Sequence, residues 1–117
     1  MKQKIESVTI GIAVRNVEEA KEWYQTLFGD VESIEPSPGT IELKIQDNVW
    51  LQLDDTCYLQ VGGGSIVGFE TKDIYAAHIL VKKLNADTDE IETVEGVVKY
   101  FDFKDPAGNR LSYVQLL

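Results

Sequence analysis

Cysteine and histidine are nearly absent from this sequence, which has one of each, Cys57 and His78. A single thiol cannot close an internal disulfide, and no second cysteine is present to build a thiolate metal site. Cys57 is therefore expected to be a passive small residue. His78 falls off the apolar stripe of a predicted helix, so we expect it to face solvent or to be only partly covered.

The sequence also lacks a long apolar run, and its first residues, Met1 to Lys4, lead straight into a strand pattern. A membrane-spanning helix needs about 20 predominantly apolar residues, and a secretory signal peptide needs an apolar stretch of its own. We therefore expect a soluble, cytoplasmic protein that has no membrane partner.

Basic residues are scarce relative to acidic ones. The chain carries 11 Lys and Arg against 20 Asp and Glu, which gives a formal net charge of −9. This charge opposes binding to phosphate backbones, so nucleic acid is not an expected partner. Five of the carboxylates lie in residues 87–95, which hold no basic residue. The favoured interpretation is a solvated strand edge, and the alternative is an acidic docking surface.

An internal repeat emerges when the sequence is shifted by 57 positions. The segment TIGIAVRNVEEAKEWYQTLFGD, from Thr9, then lies without a gap over IVGFETKDIYAAHILVKKLNAD, from Ile66. Gly11 pairs with Gly68, and most of the other pairs are conservative. A duplicated unit is the economical explanation.

Each copy of the repeat predicts a strand, then a helix, then about three short strands. The apolar period changes from two to about 3.6 after Asn16 and after Asp73, and both residue types cap helix N-termini. Gly29 is expected to end the first helix. The prediction is an α+β fold that uses a βαβββ module twice within one domain of 117 residues. The modules are expected at 1–57 and 63–117, with a connector near 55–65.

Each predicted helix has one apolar stripe, which we expect to be buried as core and not to bind a cofactor. The stripes are Val17, Ala20, Tyr24 and Leu27 in the first helix, and Ile74, Ala77, Val81 and Leu84 in the second.

The segment FDFKDPAGNRLSYVQ, residues 101–115, predicts a hairpin. Asp105 suits the first position of a type I turn, Pro106 presets φ at the second, and Gly108 tolerates a left-handed conformation. Side-chain alternation places Phe101 and Phe103 on the buried face, with Asp102 on the other face across from Ser112.

The doubled βαβββ pattern together with VTIGIAVRNVEEAKEWYQTLFGD and FDFKDPAGNRLSYVQ resembles the vicinal oxygen chelate superfamily. This superfamily holds glyoxalases, extradiol dioxygenases, fosfomycin-resistance enzymes and bleomycin-resistance proteins. The resemblance covers nearly the whole chain. It implies two half-barrels of curled mixed sheet around a cavity, and a homodimer.

In the metalloenzymes of this superfamily a divalent ion is held by a histidine on the first strand of each half and by glutamate on the last strands. The resemblance places these ligands at four positions of this sequence: Thr9, Gln52, Ile66 and Ser112. A hydroxyl, an amide and an aliphatic chain do not replace the imidazole and carboxylate donors that zinc, iron, manganese or nickel requires. We therefore expect no metal and no cofactor.

Without the ion, the cavity is expected to be a small-molecule pocket. The predicted lining consists of Thr9, Trp50, Gln52, Ile66, Tyr100, Asp102 and Ser112. Gly11 and Gly68 either leave room for a ligand or only relieve crowding on a curved strand. Asp102 either attracts a cationic or hydroxyl-bearing ligand or is already neutralised by Lys99, Lys44 or Arg110.

Four functions from different classes are compatible with the sequence. The favoured one is a metal-free protein that binds a small organic molecule, possibly cationic, as bleomycin-resistance proteins do. The alternatives to it, which make the second and third functions, are a lyase, isomerase or dioxygenase of the same superfamily with a divalent metal, and such an enzyme without one. A metal-free enzyme would use Asp102 as a general base. A regulatory module with a vestigial cavity is the fourth.

Overall fold

The computed structural model describes residues 3–56, 61–62 and 66–117. Cys57 and most of the predicted connector near 55–65 lie outside the described residues. The chain divides into two compact units, Met1–Val61 and Gly62–Leu117. Each unit contains one helix and one four-stranded mixed sheet, so the predicted α+β class and the repeated βαβββ order are confirmed.

The first unit has the strand order β1-β4-β3-β2, in which only the β1 and β4 pair is parallel. The sheet is open, with β1 and β2 at its edges. The elements are β1 (Val8–Ala13), α1 (Val17–Phe28), β2 (Ser33–Ser37), β3 (Thr40–Gln46) and β4 (Val49–Asp54).

The second unit repeats this topology with the strand order β5-β8-β7-β6, and again the first pair is parallel. This equivalence bears out the duplicated unit predicted from the sequence. The elements are β5 (Ile66–Glu70), α2 (Ile74–Lys83), β6 (Glu92–Val94), β7 (Val98–Lys104) and β8 (Arg110–Leu116).

Helix α1 begins and ends where its sequence predicts. The Asn16 side chain accepts a hydrogen bond from the Glu19 backbone N–H at 2.9 Å, which satisfies one of the free donors of the first turn. Gly29 follows the last helical residue with φ of 84°, a conformation that favours glycine. The predicted stripe of this helix is buried against the sheet: Val17, Ala20, Tyr24 and Leu27.

Helix α2 is capped by Asp73, as predicted, but its buried face differs from the expected stripe. Its buried residues are Ile74, His78 and Val81, while Ala77 is only half-buried. The expectation that His78 faces solvent or is only partly covered is therefore wrong, since its side chain lies 8% exposed. The ring meets Phe101 edge-on at 4.7 Å between centroids, and Nε2 donates to the Asp89 carbonyl oxygen at 2.9 Å.

The predicted hairpin turn joins β7 and β8. The Gly108 N–H donates to the Asp105 carbonyl oxygen at 2.9 Å, and Gly108 has φ of 89°. Asp105 Oδ1 accepts from the N–H groups of Ala107 and Asn109, and Oδ2 accepts from Asn109 Nδ2 at 2.9 Å. Both side chains are buried, so the turn is fixed by a polar network.

Within the described part of the chain, neither helix has the length and apolar character that crossing a membrane requires.

Candidate functional site

The two faces of each sheet differ in chemistry. In the first sheet Ile41, Leu43 and Leu51 are buried on the side where α1 packs. Glu42, Lys44 and Gln52, which alternate with them, project from the opposite face and are only half-buried. The second sheet follows the same rule, with Phe101 and Phe103 buried toward α2. The helix-free face of each sheet is therefore the polar one, and the predicted site residues lie there.

Three of the predicted site residues come together on the first sheet. Thr9 pairs with Trp50 across β1 and β4, and Gly11 pairs with Gln52 one step along. Gln52 in turn pairs with Glu42 on β3. The result is a row of glycine, amide and carboxylate across three strands.

The other four predicted site residues lie on the second sheet. Gly68 on β5 pairs with Ser112 on β8, and Ser112 pairs with Asp102 on β7. Ile66, which is 49% exposed, pairs with Arg110 at the start of β8. Tyr100 is half-buried and pairs with Val114. This sheet also carries a row of glycine, a neutral polar side chain and a carboxylate.

Glu42 is a member of this pattern that the sequence analysis missed. It is half-buried between the buried residues Ile41 and Leu43, so its side chain projects from the polar face. The alternating pattern of β3 could have revealed this position, because Glu42 alternates with the apolar residues Ile41 and Leu43. It stands where Asp102 stands in the second sheet.

Neither Gly11 nor Gly68 has a positive φ, so the backbone does not require glycine at these positions. A Cβ atom at Gly68 would meet no described atom within 4 Å, and one at Gly11 would meet only Gln52 Oε1 at 3.8 Å. Relief of crowding therefore does not explain either glycine within the described residues. The alternative, that they leave open space on the polar face, is the one that fits.

Asp102 has a cationic neighbour, Arg110. This agrees with the second of the two alternatives that the sequence left open, in which a basic residue of the protein neutralises Asp102. Its Oδ2 lies 3.9 Å from Arg110 Nη2, and the side chains are 33% and 50% exposed. Lys99 is engaged elsewhere, because its Nζ donates to the Tyr75 hydroxyl oxygen at 2.6 Å and lies 4.8 Å from the centre of that ring. Ser112 Oγ donates to the Phe101 carbonyl oxygen at 3.2 Å, which leaves its lone pairs as acceptors.

A cavity of about 340 Å³ lies beside Asp102 in the second unit. Its lining residues are Asp87, Asp89, Asp102, Phe103, Lys104 and Arg110. Asp87 and Asp89 reach the cavity because residues 87–89 pair with β7. The Lys104 N–H donates to the Asp87 carbonyl oxygen at 2.8 Å, and the Asp89 N–H donates to that of Asp102 at 2.9 Å.

The sequence favours a solvated strand edge for Asp87 and Asp89, with an acidic docking surface as the alternative, and it does not connect them with Asp102. They are exposed, but they also line the cavity. The only sequence signal was the density of acidic residues in 87–95. That density carries no information on which strand the segment pairs with, so the pairing could not be foreseen.

The residues at the four stations that the superfamily uses for a divalent ion do not fit one. They are Thr9, Gln52, Ile66 and Ser112, and they offer hydroxyl, amide and aliphatic groups in place of imidazole and carboxylate. Among residues 3–56, 61–62 and 66–117, no group of three or more His, Cys, Asp or Glu side chains is arranged to hold a metal ion.

No protein-family model matches the sequence, and no curated protein matches it. Solved structures do match in fold. FosX, a fosfomycin resistance protein from Listeria monocytogenes, is 15% identical, with a TM-score of 0.81 over 100% of this chain and 96% of that chain. A glyoxalase / bleomycin resistance protein from Catenulispora acidiphila is 17% identical, with a TM-score of 0.77 over 95% and 98% of the two chains.

TnmS3, an antibiotic binding protein from Streptomyces sp. CB03234, is 20% identical, with a TM-score of 0.76 over 99% of this chain and 98% of that chain. Identities of this size define the fold alone. The chain has the vicinal oxygen chelate fold, as its sequence predicts.

Proposed function

We propose that this protein binds a small organic molecule on the polar faces of its sheets and needs no divalent metal to do so. The observation that carries the proposal is the repeated row of glycine, neutral polar residue and carboxylate: Gly11, Gln52 and Glu42 in one sheet, and Gly68, Ser112 and Asp102 in the other. The rows supply hydrogen-bonding groups and open space, but not the donors of a metal site.

The similarity to an antibiotic binding protein and to a glyoxalase / bleomycin resistance protein supports a binding role. The net charge of −9 and the Glu42 carboxylate of the first row favour a ligand that carries a positive charge. The competing hypothesis is an enzyme in which Asp102 acts as a general base. Arg110 Nη2 already lies 3.9 Å from the Asp102 carboxylate and gives it a cationic partner within the protein, and the binding role therefore has the stronger support.

Valine substitutions at the two open glycines test the proposal. Gly11→Val and Gly68→Val place a β-branched side chain, which suits a strand, into the space assigned to the ligand. The assay is a thermal-shift screen, followed by isothermal titration, against organic cations such as benzyltrimethylammonium and spermidine with matched neutral and anionic molecules. EDTA is present throughout.

We expect at least one molecule to bind in the presence of EDTA, and both valine variants to fold and to bind it more weakly. Thr93→Val, at an exposed position of β6 outside the two rows, serves as the matched control and should bind as the parent does. The proposal fails if no molecule binds, or if the glycine variants bind as tightly as the control.

The proposal includes a homodimer located in the cytoplasm. Each sheet ends in edge strands, β1 and β2 in one and β5 and β6 in the other, and these could support association between copies. Size-exclusion chromatography with light scattering should give twice the chain mass of 13.1 kDa. A mass of one chain at micromolar concentration would refute the dimer.

A further inference from the structure

We infer that the cavity beside Asp102, on the second sheet, binds the two ends of a zwitterionic molecule, with an ammonium group toward Asp87 and Asp89 and an acidic group toward Lys104. The inference rests on the proposed function and narrows its ligand class. The cavity is lined by charges of both signs. The order of these charges across the strands supports the inference.

The register of the strands places the two exposed aspartates and the two cations on different strands. Lys104 pairs with Arg110 on β8, and on its other side its N–H donates to the Asp87 carbonyl oxygen. Thr88 bridges Phe103, so Asp87 and Asp89 project from the same face as Lys104 and Asp102. The two aspartates thus lie at the outer edge of the sheet, and the cations lie on β7 and β8.

Pairing within the cavity leaves a charge of each sign available. Asp102 and Arg110 face each other at 3.9 Å. No ion pair within 4.0 Å joins Asp87, Asp89 or Lys104 to another described residue, and all three are exposed. Two carboxylates and one ammonium group are therefore available to bind a ligand of complementary charge. An ion with one sign only would satisfy half of this arrangement and meet repulsion from the other half.

Strand spacing sets the distance between the two ends of the ligand. Neighbouring strands lie about 4.8 Å apart, so groups one or two strands from the aspartates are separated from them by about 5 to 10 Å. An α-amino acid carries its two charges too close together to span this distance. An amino acid whose charges are separated by several methylene groups fits it, and its methylene chain would lie over the sheet.

The acidic edge is held in place by groups behind it. The buried His78 donates to the Asp89 carbonyl oxygen at 2.9 Å, and the Asp89 N–H donates to that of Asp102. The 87–89 segment is thus fixed between α2 and β7. A site whose backbone is fixed before the ligand arrives loses less conformational entropy on binding.

Isothermal titration at low salt with a matched set of probes tests this inference, since exposed charges are screened at higher ionic strength. The probes are 6-aminohexanoate, which carries both charges, hexylamine and hexanoate, which carry one each, and glycine, in which the charges are adjacent. We expect 6-aminohexanoate to bind more tightly than the other three. The variants Asp87→Asn with Asp89→Asn, and Lys104→Gln, each weaken its binding about two- to fivefold per charge removed.

The variants also identify which end of the probe each group contacts. The double aspartate variant should remove the advantage of 6-aminohexanoate over hexanoate, and Lys104→Gln should remove its advantage over hexylamine. Glu92→Gln and Lys83→Gln, at exposed positions outside the cavity, are the charge-matched controls and should leave the affinity unchanged.

The inference is overturned if 6-aminohexanoate binds no better than the single-charge probes, or if the control variants weaken its binding as much as the cavity variants do. In that case binding of another organic molecule from the broader screen would leave the proposed function standing. If no molecule of either set binds, both fail together.

Discussion

Asp105 fixes the last hairpin through its side chain, which accepts hydrogen bonds from two backbone N–H groups and from the Asn109 amide. Asp105→Ala removes these acceptors and leaves buried donors without them. We expect a loss of about 2 to 4 kcal/mol in the free energy of unfolding, measured by urea denaturation. Asp47→Ala, at an exposed turn position, should change stability by less than about 0.5 kcal/mol. Equal effects of the two substitutions would contradict this role.

Tyr113 makes stability depend on pH in the alkaline range. Burial raises the pKa of its phenol from 10.0 to about 12. The unfolded chain therefore releases this proton at lower pH than the folded chain does. The contribution of the Tyr113 phenol to the free energy of unfolding is fully present below pH 10, and it is lost as the pH rises from 10.0 toward about 12. We expect a loss of about 1 to 2 kcal/mol across this range, because partial contact with solvent reduces the full effect.

Urea denaturation below pH 10 and near pH 12 measures this dependence. Tyr113→Phe has no phenol to ionise, so it should lose less stability than the parent over the same range. Tyr75→Phe, at an exposed tyrosine, is the control and should follow the parent. A Tyr113→Phe protein with the same pH dependence as the parent would show that this phenol is not responsible.

Individual residues were predictable where one strand or turn sets their position. The face shared by Asp102 and Ser112 follows from alternation and from the DPAGN turn, and so it could be predicted. The position of Asp87 beside Lys104 depends on a backbone pairing between separate segments, which no local pattern encodes. The same holds for the choice of Arg110, among three basic candidates, as the neighbour of Asp102.

At the scale of elements, α2 shows where periodicity fails to predict a buried face. Its N-cap Asp73 follows from the sequence, but the repeat with α1 placed Ala77 in the core and His78 outside it. In the structure His78 fills the space beside Phe101 and bonds to the segment that follows the helix. A polar residue can be buried when it finds a partner, and the partner here, Asp89, lies beyond the helix.

We expect His78→Ala to lower the free energy of unfolding by about 2 to 4 kcal/mol, because it leaves a cavity next to Phe101 and removes the imidazole hydrogen bond to the Asp89 carbonyl oxygen. Ile79→Ala is the control on the same helix. Ile79 is 56% exposed, so its truncation should change stability by less than about 1 kcal/mol. Thermal and urea unfolding of both variants make the comparison, and a His78→Ala protein as stable as Ile79→Ala would refute the packing role of this side chain.

At the scale of the whole molecule, the duplicated sequence explains the duplicated structure. The repeat was visible because the apolar period changes from that of a strand to that of a helix at matching positions in the two halves. The two polar rows were only partly visible. Their glycines pair under the repeat, but Glu42 and Asp102 do not align at the same sequence shift, since they become equivalent only through the strand register.

The two rows also define how this chain differs from metal-binding proteins of the same fold. The stations of the ion carry Thr9, Gln52, Ile66 and Ser112, so the polar faces offer hydrogen bonds and charge in place of Lewis acidity. An organic molecule held by such groups does not require the ion. We therefore propose that ligand binding is independent of a divalent metal.

Elemental analysis by mass spectrometry, on protein purified without added metal and dialysed against metal-free buffer, tests this proposal. We expect far less than one transition-metal ion per chain. One ion per chain that survives dialysis and is released by Gln52→Ala or Ser112→Ala would contradict it.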